Sequence, residues 1–260
     1  MFNNLRQMIL NKAVLQSSVK RIIILDSVES TNLYAKSLRD SIDSTFIIAS
    51  NQTKGRGREN REWKSFSDKN ITISIILDYP KDKKYLGLLS ILTANSVAQT
   101  LEAFSLNANV KWPNDVLINS KKISGILLEA IFKNKKSKSV IVGVGINVNC
   151  TKDDFTKDNF KYRRNPTSIL MEKGEIVSRE DVVVSFLEFF YYWISEFKAK
   201  NYKAITDYWK ARWSDVGQRA SFSFGGIEAK GEILDINQSG ELLLQVSDRV
   251  ETISSGEIIV

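Results

Sequence analysis

Apolar residues along this chain fall into short runs of two different periods, and their alternation predicts a mixed fold. Arg21-Ile22-Ile23-Ile24-Leu25 reads as a buried strand and Thr45 to Ser50 as a second. Asn70-Ile71-Thr72-Ile73-Ser74-Ile75-Ile76-Leu77 alternates at period two before becoming fully apolar, and Tyr79-Pro80 ends it. Between the first two strands, Ser30 to Arg39 carries helical spacing through Leu33 and Leu38, with Ser30 or Thr31 as its cap. Leu86, Leu89, Leu92, Val97, Leu101 and Phe104 mark a long helix from Tyr85 to Phe104. Strands return at Asn109 to Trp112, Val116 to Ile118, Lys122 to Phe132 and Ser139 to Asn147, two of them joined by the polar turn Asn119-Ser120-Lys121.

Residues 151–163 are charged and weakly patterned, and read as an exposed connection. Helices are predicted over 166–173, 178–199 and 201–213, with the rings from Phe186 to Trp193 in the core. After Trp213 the texture changes to short alternating runs punctuated by Gly225-Gly226, Gly231, Gln238-Ser239-Gly240 and Ser254-Ser255-Gly256, the spacing of a small β-barrel. The expected organisation is α+β. Residues 1–214 form a mixed, largely antiparallel sheet backed by helices, and residues 215–260 the small barrel.

Composition narrows the chemistry. At 260 residues, 43% hydrophobic and 26% charged, the chain has the make-up of an ordinary globular protein. No apolar run reaches the roughly 18 residues of a membrane span, and the start, Met1-Phe2-Asn3-Asn4-Leu5-Arg6, lacks the order of a secretory signal. Cys150 is the only cysteine, which rules out an intrachain disulfide and points to the cytoplasm. There is no histidine, so triads that need an imidazole and His-rich metal sites are excluded. Carboxylate, lysine, tyrosine or water must move any proton. A formal charge of +7 then favours electrostatic work on anions: a nucleotide, a nucleic acid or an acidic protein.

Gly55-Arg56-Gly57-Arg58-Glu59-Asn60-Arg61-Glu62-Trp63 sets three guanidinium groups among two glycines and closes on an aromatic ring. Glycine lets the backbone turn or approach a ligand closely, and arginine forks match carboxylate and phosphate oxygens. Read alone, the loop serves equally well as a solvated basic surface segment. It lacks the Gly-Lys-Ser/Thr of a P-loop and the third glycine of a dinucleotide fingerprint. Lys111-Trp112-Pro113-Asn114-Asp115 ends a strand in a rigid turn that fixes a lysine, an amide and a carboxylate together, though Pro-Asn-Asp is also plain turn chemistry. Lys122-Ile123-Ser124-Gly125-Ile126-Leu127-Leu128-Glu129 puts one lysine at the head of an apolar strand. Gly143-Val144-Gly145-Ile146-Asn147 places two glycines in another, where they admit either close strand packing or a ligand. Ser30-Thr31-Asn32 is a helix cap or a grip for a neutral polar ligand.

In that order and at those spacings, the five segments together with Gln52 resemble the biotin protein ligase family, the biotin–[acetyl-CoA-carboxylase] ligases. The likeness is strong from about residue 20 to 150 and looser beyond. It implies a class II synthetase-like catalytic domain followed by an SH3-like barrel. It also implies an enzyme that activates biotin with MgATP to biotinyl-5′-adenylate and transfers it to a lysine of a biotin carboxyl carrier protein. Carried over by motif, Ser30, Thr31, Asn32, Gln52, Arg56, Gly57, Arg58 and Lys122 bind biotin, and Arg56, Arg58, Arg61, Trp63, Lys111, Asn114 and Asn147 bind ATP. Lys122 and Arg58 are the catalytic cations, and Asp115 is the candidate base for the acceptor lysine. Mg²⁺ arrives with ATP, and no metal ligand on the protein is assigned. With the first strand at Arg21, the expected form is the single-function ligase without an N-terminal DNA-binding domain. Lysines scattered through loops and the lack of a reading helix speak against a nucleic-acid partner. A homodimer is compatible with the sequence. The alternative is a lipoate/octanoate–protein ligase, with a non-enzymatic binding module third. The Gly/Arg loop and the Lys111–Asp115 run favour biotin.

Overall fold

The two faces of the central strands are chemically different, and that difference organises the molecule. In the computed structural model, residues 2–38, 42–78, 80, 82–132, 138–157, 160–224, 227–254 and 257–259 are described. The predicted helix end at Arg39, the strand stop at Tyr79, the turns at Gly225-Gly226 and Ser255-Gly256, and Lys81, Lys133, Lys135 and Lys136 lie outside them. The chain opens with α1 (Leu5–Leu10) and α2 (Ala13–Ser18), then β1 (Arg21–Val28), α3 (Thr31–Ser37), β2 (Thr45–Gln52) and β3 (Asn70–Asp78). Next come α4 (Leu88–Ala103), β4 (Asn109–Lys111), β5 (Asp115–Ile118), β6 (Lys121–Phe132) and β7 (Lys138–Asn147). Four helices follow: α5 (Lys152–Thr156), α6 (Ile169–Lys173), α7 (Arg179–Lys198) and α8 (Tyr202–Lys210). The last elements are β8 (Arg219–Phe224), β9 (Ile227–Ile236), β10 (Leu242–Val246), β11 (Arg249–Ile253) and β12 (Glu257–Ile259).

Strands β1 to β7 form one sheet in the order β1-β2-β3-β7-β6-β5-β4. Only β1 and β2 run parallel, and every other neighbour is antiparallel, as the sequence leads one to expect. On β3 and β7, Ile71, Ile73, Ile75, Val142, Val144 and Ile146 point into the main core with α4 and α7. The alternate positions carry Thr72 and Ser74 opposite Gly145 and Gly143, so the other face is polar and bare. Helix α3 covers part of that face through Ala35, over Ile47, Ile76 and Ile141. The rest is open.

Helix α4 begins three residues later than its pattern predicts, because residues 83–85 form a separate 3-10 turn capped by the Asp82 carboxylate. It is also buried on nearly every side instead of along one stripe. Among its polar residues, the Thr93, Ser96 and Thr100 hydroxyls donate to carbonyls four residues back, and Asn95 Nδ2 donates across to the Ile205 carbonyl of α8. The sequence pattern gave no indication of α1 and α2, which bury Leu5, Ile9 and Leu15 and pack near α7. The stretch 151–163 corrects its reading as an exposed connection. It contains α5, closed by a Thr151/Asp154 capping box, and buries Phe155. Helix α6 occupies only 169–173 of the predicted 166–173. Strands β8 to β12 pair as an open five-stranded sheet, β11-β10-β9-β8-β12.

Candidate functional site

The bare face of the sheet has two seats. A Cβ added to Gly143 would lie 2.4 Å from Asn32 Oδ1, so the Asn32 amide rests directly on the strand there. A Cβ added to Gly145 would lie 2.4 Å from Trp63 Cε2, and Gly125, paired with Gly145, faces the same ring at 3.2 Å. Two residues along one strand face are ~7 Å apart, so the amide and the indole are neighbours on one floor. These glycines are kept for close approach. Their role is steric.

Around Asn32 the polar groups on the cavity side are neutral and tightly connected, with the Glu129–Lys36 ion pair behind them. The Thr31 backbone N–H and hydroxyl both donate to Gln52 Oε1, at 2.8 and 3.0 Å. Ser74 Oγ lies 2.8 Å from Thr31 Oγ1 and 2.5 Å from Asn32 Oδ1, and Asn32 Nδ2 donates to Glu129 Oε2 at 2.8 Å. Ser30, Thr31 and Asn32 are almost fully buried. Glu129 also accepts from Lys36 Nζ at 2.6 Å. Burial works against its ionisation, yet the hydrogen bonds from Lys36 and Asn32, with the charge of Arg56 nearby, hold the carboxyl below its usual range.

Around Trp63 the groups are charged. The 55–63 loop folds back on itself through Trp63 N–H to Gly55 O (2.9 Å), Gly57 N–H to Arg61 O (2.7 Å) and Arg61 N–H to Arg58 O (3.0 Å). Its positive-φ residues are Glu59 (53°) and Asn60 (58°), so the expectation that the glycines supply the turn is corrected. Gly57 is extended, with φ −114°. Gly55 is needed for proximity, since a Cβ there would sit 2.3 Å from Trp63 O. Arg58 donates to Asn114 Oδ1 at 3.4 Å, and Asn114 is itself pinned to β6 through Ile126. Lys122 Nζ sits 2.6 Å from Asp115 Oδ1 and 5.9 Å from the centre of the Trp63 ring. Behind this turn, Trp112 Nε1 donates to Gly240 O at 3.0 Å, tying the five-stranded sheet to the site.

All of this opens into one cavity of about 520 Å³, within the range of small-molecule sites. Ser30, Thr31, Asn32, Gln52, Arg56, Gly57, Arg58, Arg61, Trp63, Lys111, Asn114, Asp115, Lys122 and Asn147 all line it, so every residue singled out from the sequence meets there. Arg58 and Lys122 share one lining. Nine lysine and arginine side chains face three carboxylates around the wall, a balance suited to an anionic ligand. Asn147 is already committed on both sides, accepting from Asn70 Nδ2 and donating to Thr167 O.

The motifs missed part of the wall. Phe155, Phe160, Lys161, Tyr162 and Arg163 line the cavity from the stretch that reads as a connection, with Arg164 just beyond it, and their only signal is the Arg163-Arg164 pair. Glu129 closes a quoted motif, and an acid at the end of an apolar strand could have drawn notice. Thr72 and Ser74 were visible as the polar half of the β3 alternation.

A mixed sheet carrying a cationic cavity on one face is the architecture of an α+β protein suited to an anionic ligand. Residues 24–147 match the family model of the biotin/lipoate A/B protein ligases. The bifunctional ligase/repressor BirA of Bacillus spizizenii is 32% identical over 244 residues, covering 92% of this chain and 74% of that protein. The biotin–[acetyl-CoA-carboxylase] ligase of Mycobacterium tuberculosis is 30% identical, covering 84% and 79%. Among solved structures, the biotin protein ligase of Aquifex aeolicus in complex with biotin and ATP superposes with a TM-score of 0.77 at 28% identity, covering 92% and 97%. The chain belongs to the biotin protein ligase family.

Proposed function

We propose that this protein activates biotin with MgATP to biotinyl-5′-adenylate and pyrophosphate, then transfers biotin to a lysine of a biotin carboxyl carrier protein. The carrying observation is the juxtaposition in one cavity of a neutral hydrogen-bonding seat at Asn32 and a cationic, aromatic seat at Trp63. Ser30, Thr31, Asn32 and Gln52 hold the uncharged ureido ring. Trp63 is the surface for adenine, and Arg56, Arg61, Lys111, Asn114 and Asn147 belong to the nucleotide side, with Gly57 carrying the loop over the intermediate.

The biotin carboxylate must attack the α-phosphorus, and the two anions repel by roughly 4 kcal/mol at ~4 Å in an effective dielectric of 20. Lys122 and Arg58 offset that repulsion and meet the charge that builds on the phosphoryl oxygens as pyrophosphate leaves. Mg²⁺ is part of the substrate, held by phosphate oxygens. In the free protein Lys122 is paired with Asp115. Exchange of that partner for the anionic ligand frees the Asp115 carboxylate to position the acceptor ammonium and take its proton. The acceptor nitrogen then attacks the carbonyl carbon of the mixed anhydride, and AMP leaves.

We assign residues 1–214 to the ligating domain and 215–260 to a small SH3-like barrel. The shift in register between β9 and β10 at Leu243/Leu244 supports strong curvature there. No described helix is long and apolar enough to cross a membrane, and we place the reaction in the cytoplasm. We place the contact of a homodimer on the outer edge of β1, which no described strand pairs with, and light scattering decides it. The test of the function is ATP–pyrophosphate exchange. It should depend on biotin and be absent with lipoate or octanoate. Exchange driven by either of those acids in place of biotin would overturn the assignment.

A further inference from the structure

Behind the neutral end of the cavity lies a carboxylate that takes no part in the chemistry above. Glu129 stands on β6 opposite Ile141, on the same sheet face as Leu127 and Gly125. One oxygen meets Lys36 and the other meets Asn32. We propose that Glu129 is a positioning residue for biotin: acting through Asn32, it fixes which end of that amide meets the ligand. The inference rests on the biotin reading of this site.

The two ends of a primary amide have nearly the same shape, so its neighbours decide its orientation. Glu129, as an ionised acceptor, can face only the Nδ2 end. Turned over, Asn32 would set its carbonyl oxygen 2.8 Å from a carboxylate oxygen, acceptor against acceptor. On the far side Ser74 has one proton within reach of both Thr31 Oγ1 and Asn32 Oδ1, and its oxygen can also accept, so that side tolerates either end of the amide. The charge at Glu129 therefore decides the orientation. Asn32 keeps one N–H and one oxygen lone pair uncommitted, on a side chain that lines the cavity. Gly143 is the counterpart of this device, because a side chain there would displace the amide.

Glu129→Gln keeps the volume but can turn a donor toward Asn32, which removes the orienting constraint. In biotin-dependent ATP–pyrophosphate exchange the expected result is a KM for biotin raised about tenfold, the scale of one hydrogen bond to a charged group. The kcat and the KM for ATP should stay within about twofold of wild type on the same scale. Lys36→Met breaks the ion pair but leaves the carboxylate on Asn32, and should keep the wild-type KM for biotin. Ser74→Ala removes the hydroxyl on the other side but leaves Glu129 facing Nδ2, and should raise the KM for biotin less than Glu129→Gln does. Glu129→Leu, which offers Asn32 no acceptor, should match the Glu129→Gln defect and serves if that variant does not fold. A wild-type KM in Glu129→Gln, or an equal rise in Lys36→Met, overturns the proposal and leaves Glu129 only pinning α3 to the sheet. A wild-type protein without biotin-dependent exchange defeats the functional reading instead.

Discussion

A single methyl group at Gly145 should remove the seat of Trp63 while leaving the seat of Asn32 intact. The added Cβ would lie 2.4 Å from Cε2, 2.5 Å from Cζ2 and 2.8 Å from Nε1 of the indole. Carbon atoms pack at about 3.5–4.0 Å, so the ring would have to lift by about 1 Å. It is poorly placed to do so, because the Trp63 backbone is bonded to Gly55 and its carbonyl packs against that residue. Overpacking of this kind costs about 1–3 kcal/mol. If Trp63 is the adenine surface, that becomes roughly a 5- to 140-fold rise in the KM for ATP, at 1.4 kcal/mol per decade. Gly143→Ala is the reciprocal change, since its Cβ would lie 2.4 Å from Asn32 Oδ1 and would block biotin instead. The assay is exchange kinetics with each substrate varied in turn, alongside calorimetric titration of biotin and a thermal melt of each variant. Folded Gly145→Ala with a wild-type KM for ATP, or with biotin weakened as much as ATP, would refute the two-seat description.

Three further outcomes follow from particular contacts. Asp115→Asn should form biotinyl-adenylate at close to the wild-type rate but transfer it slowly to the acceptor, since the Asp115 carboxylate is proposed for the second step alone; equal loss in single-turnover assays of both steps contradicts that role. Cys150 is buried, and burial with the nearby Asp154 charge pushes its thiol up to about 12, so a disulfide reagent at pH 8 should label it only after unfolding. Native labelling at the unfolded rate contradicts this packing. Asp154 is opposed by burial but held below its ordinary 3.8 by hydrogen bonds from Lys69 and Thr151. A lowered folded value means stability present above the unfolded value and lost as pH falls through and below it. Asp154→Asn should therefore lose about 1–2 kcal/mol in urea at pH 7, the worth of a cap, and progressively less as pH falls below 3.8. An equal loss at both pH values would show that charge is not the cause.

The sheet was legible because its strands carry clean signals. Ile71-Thr72-Ile73-Ser74-Ile75 alternates because one face meets α4 and α7 while the other forms the floor of the site. Glycines at 143 and 145 stood out because a buried strand rarely tolerates them, and both lie under a side chain that needs the space. The helices α1 and α2 were invisible for the opposite reason. Each is six residues long without a side-chain cap, and their stability comes from burying Leu5, Ile9 and Leu15. The aromatic wall of Phe155, Phe160 and Tyr162 reads as loop because its rings pack on one another edge to face, a tertiary arrangement without a local period. Glu129 was on view as a residue but not as a function, since its meaning depends on Asn32, 97 positions away.

The central claim is that one cavity joins biotin to the innermost phosphorus of ATP and keeps the product until an acceptor lysine arrives. The direct measurement is to mix the protein with biotin and α-labelled ATP without acceptor, then add a carrier domain. The account predicts about one biotinyl-adenylate retained per chain, discharged as free AMP while the carrier gains biotin. Retained label that does not depend on biotin, or a carrier that stays unmodified while the adenylate decays, would contradict it.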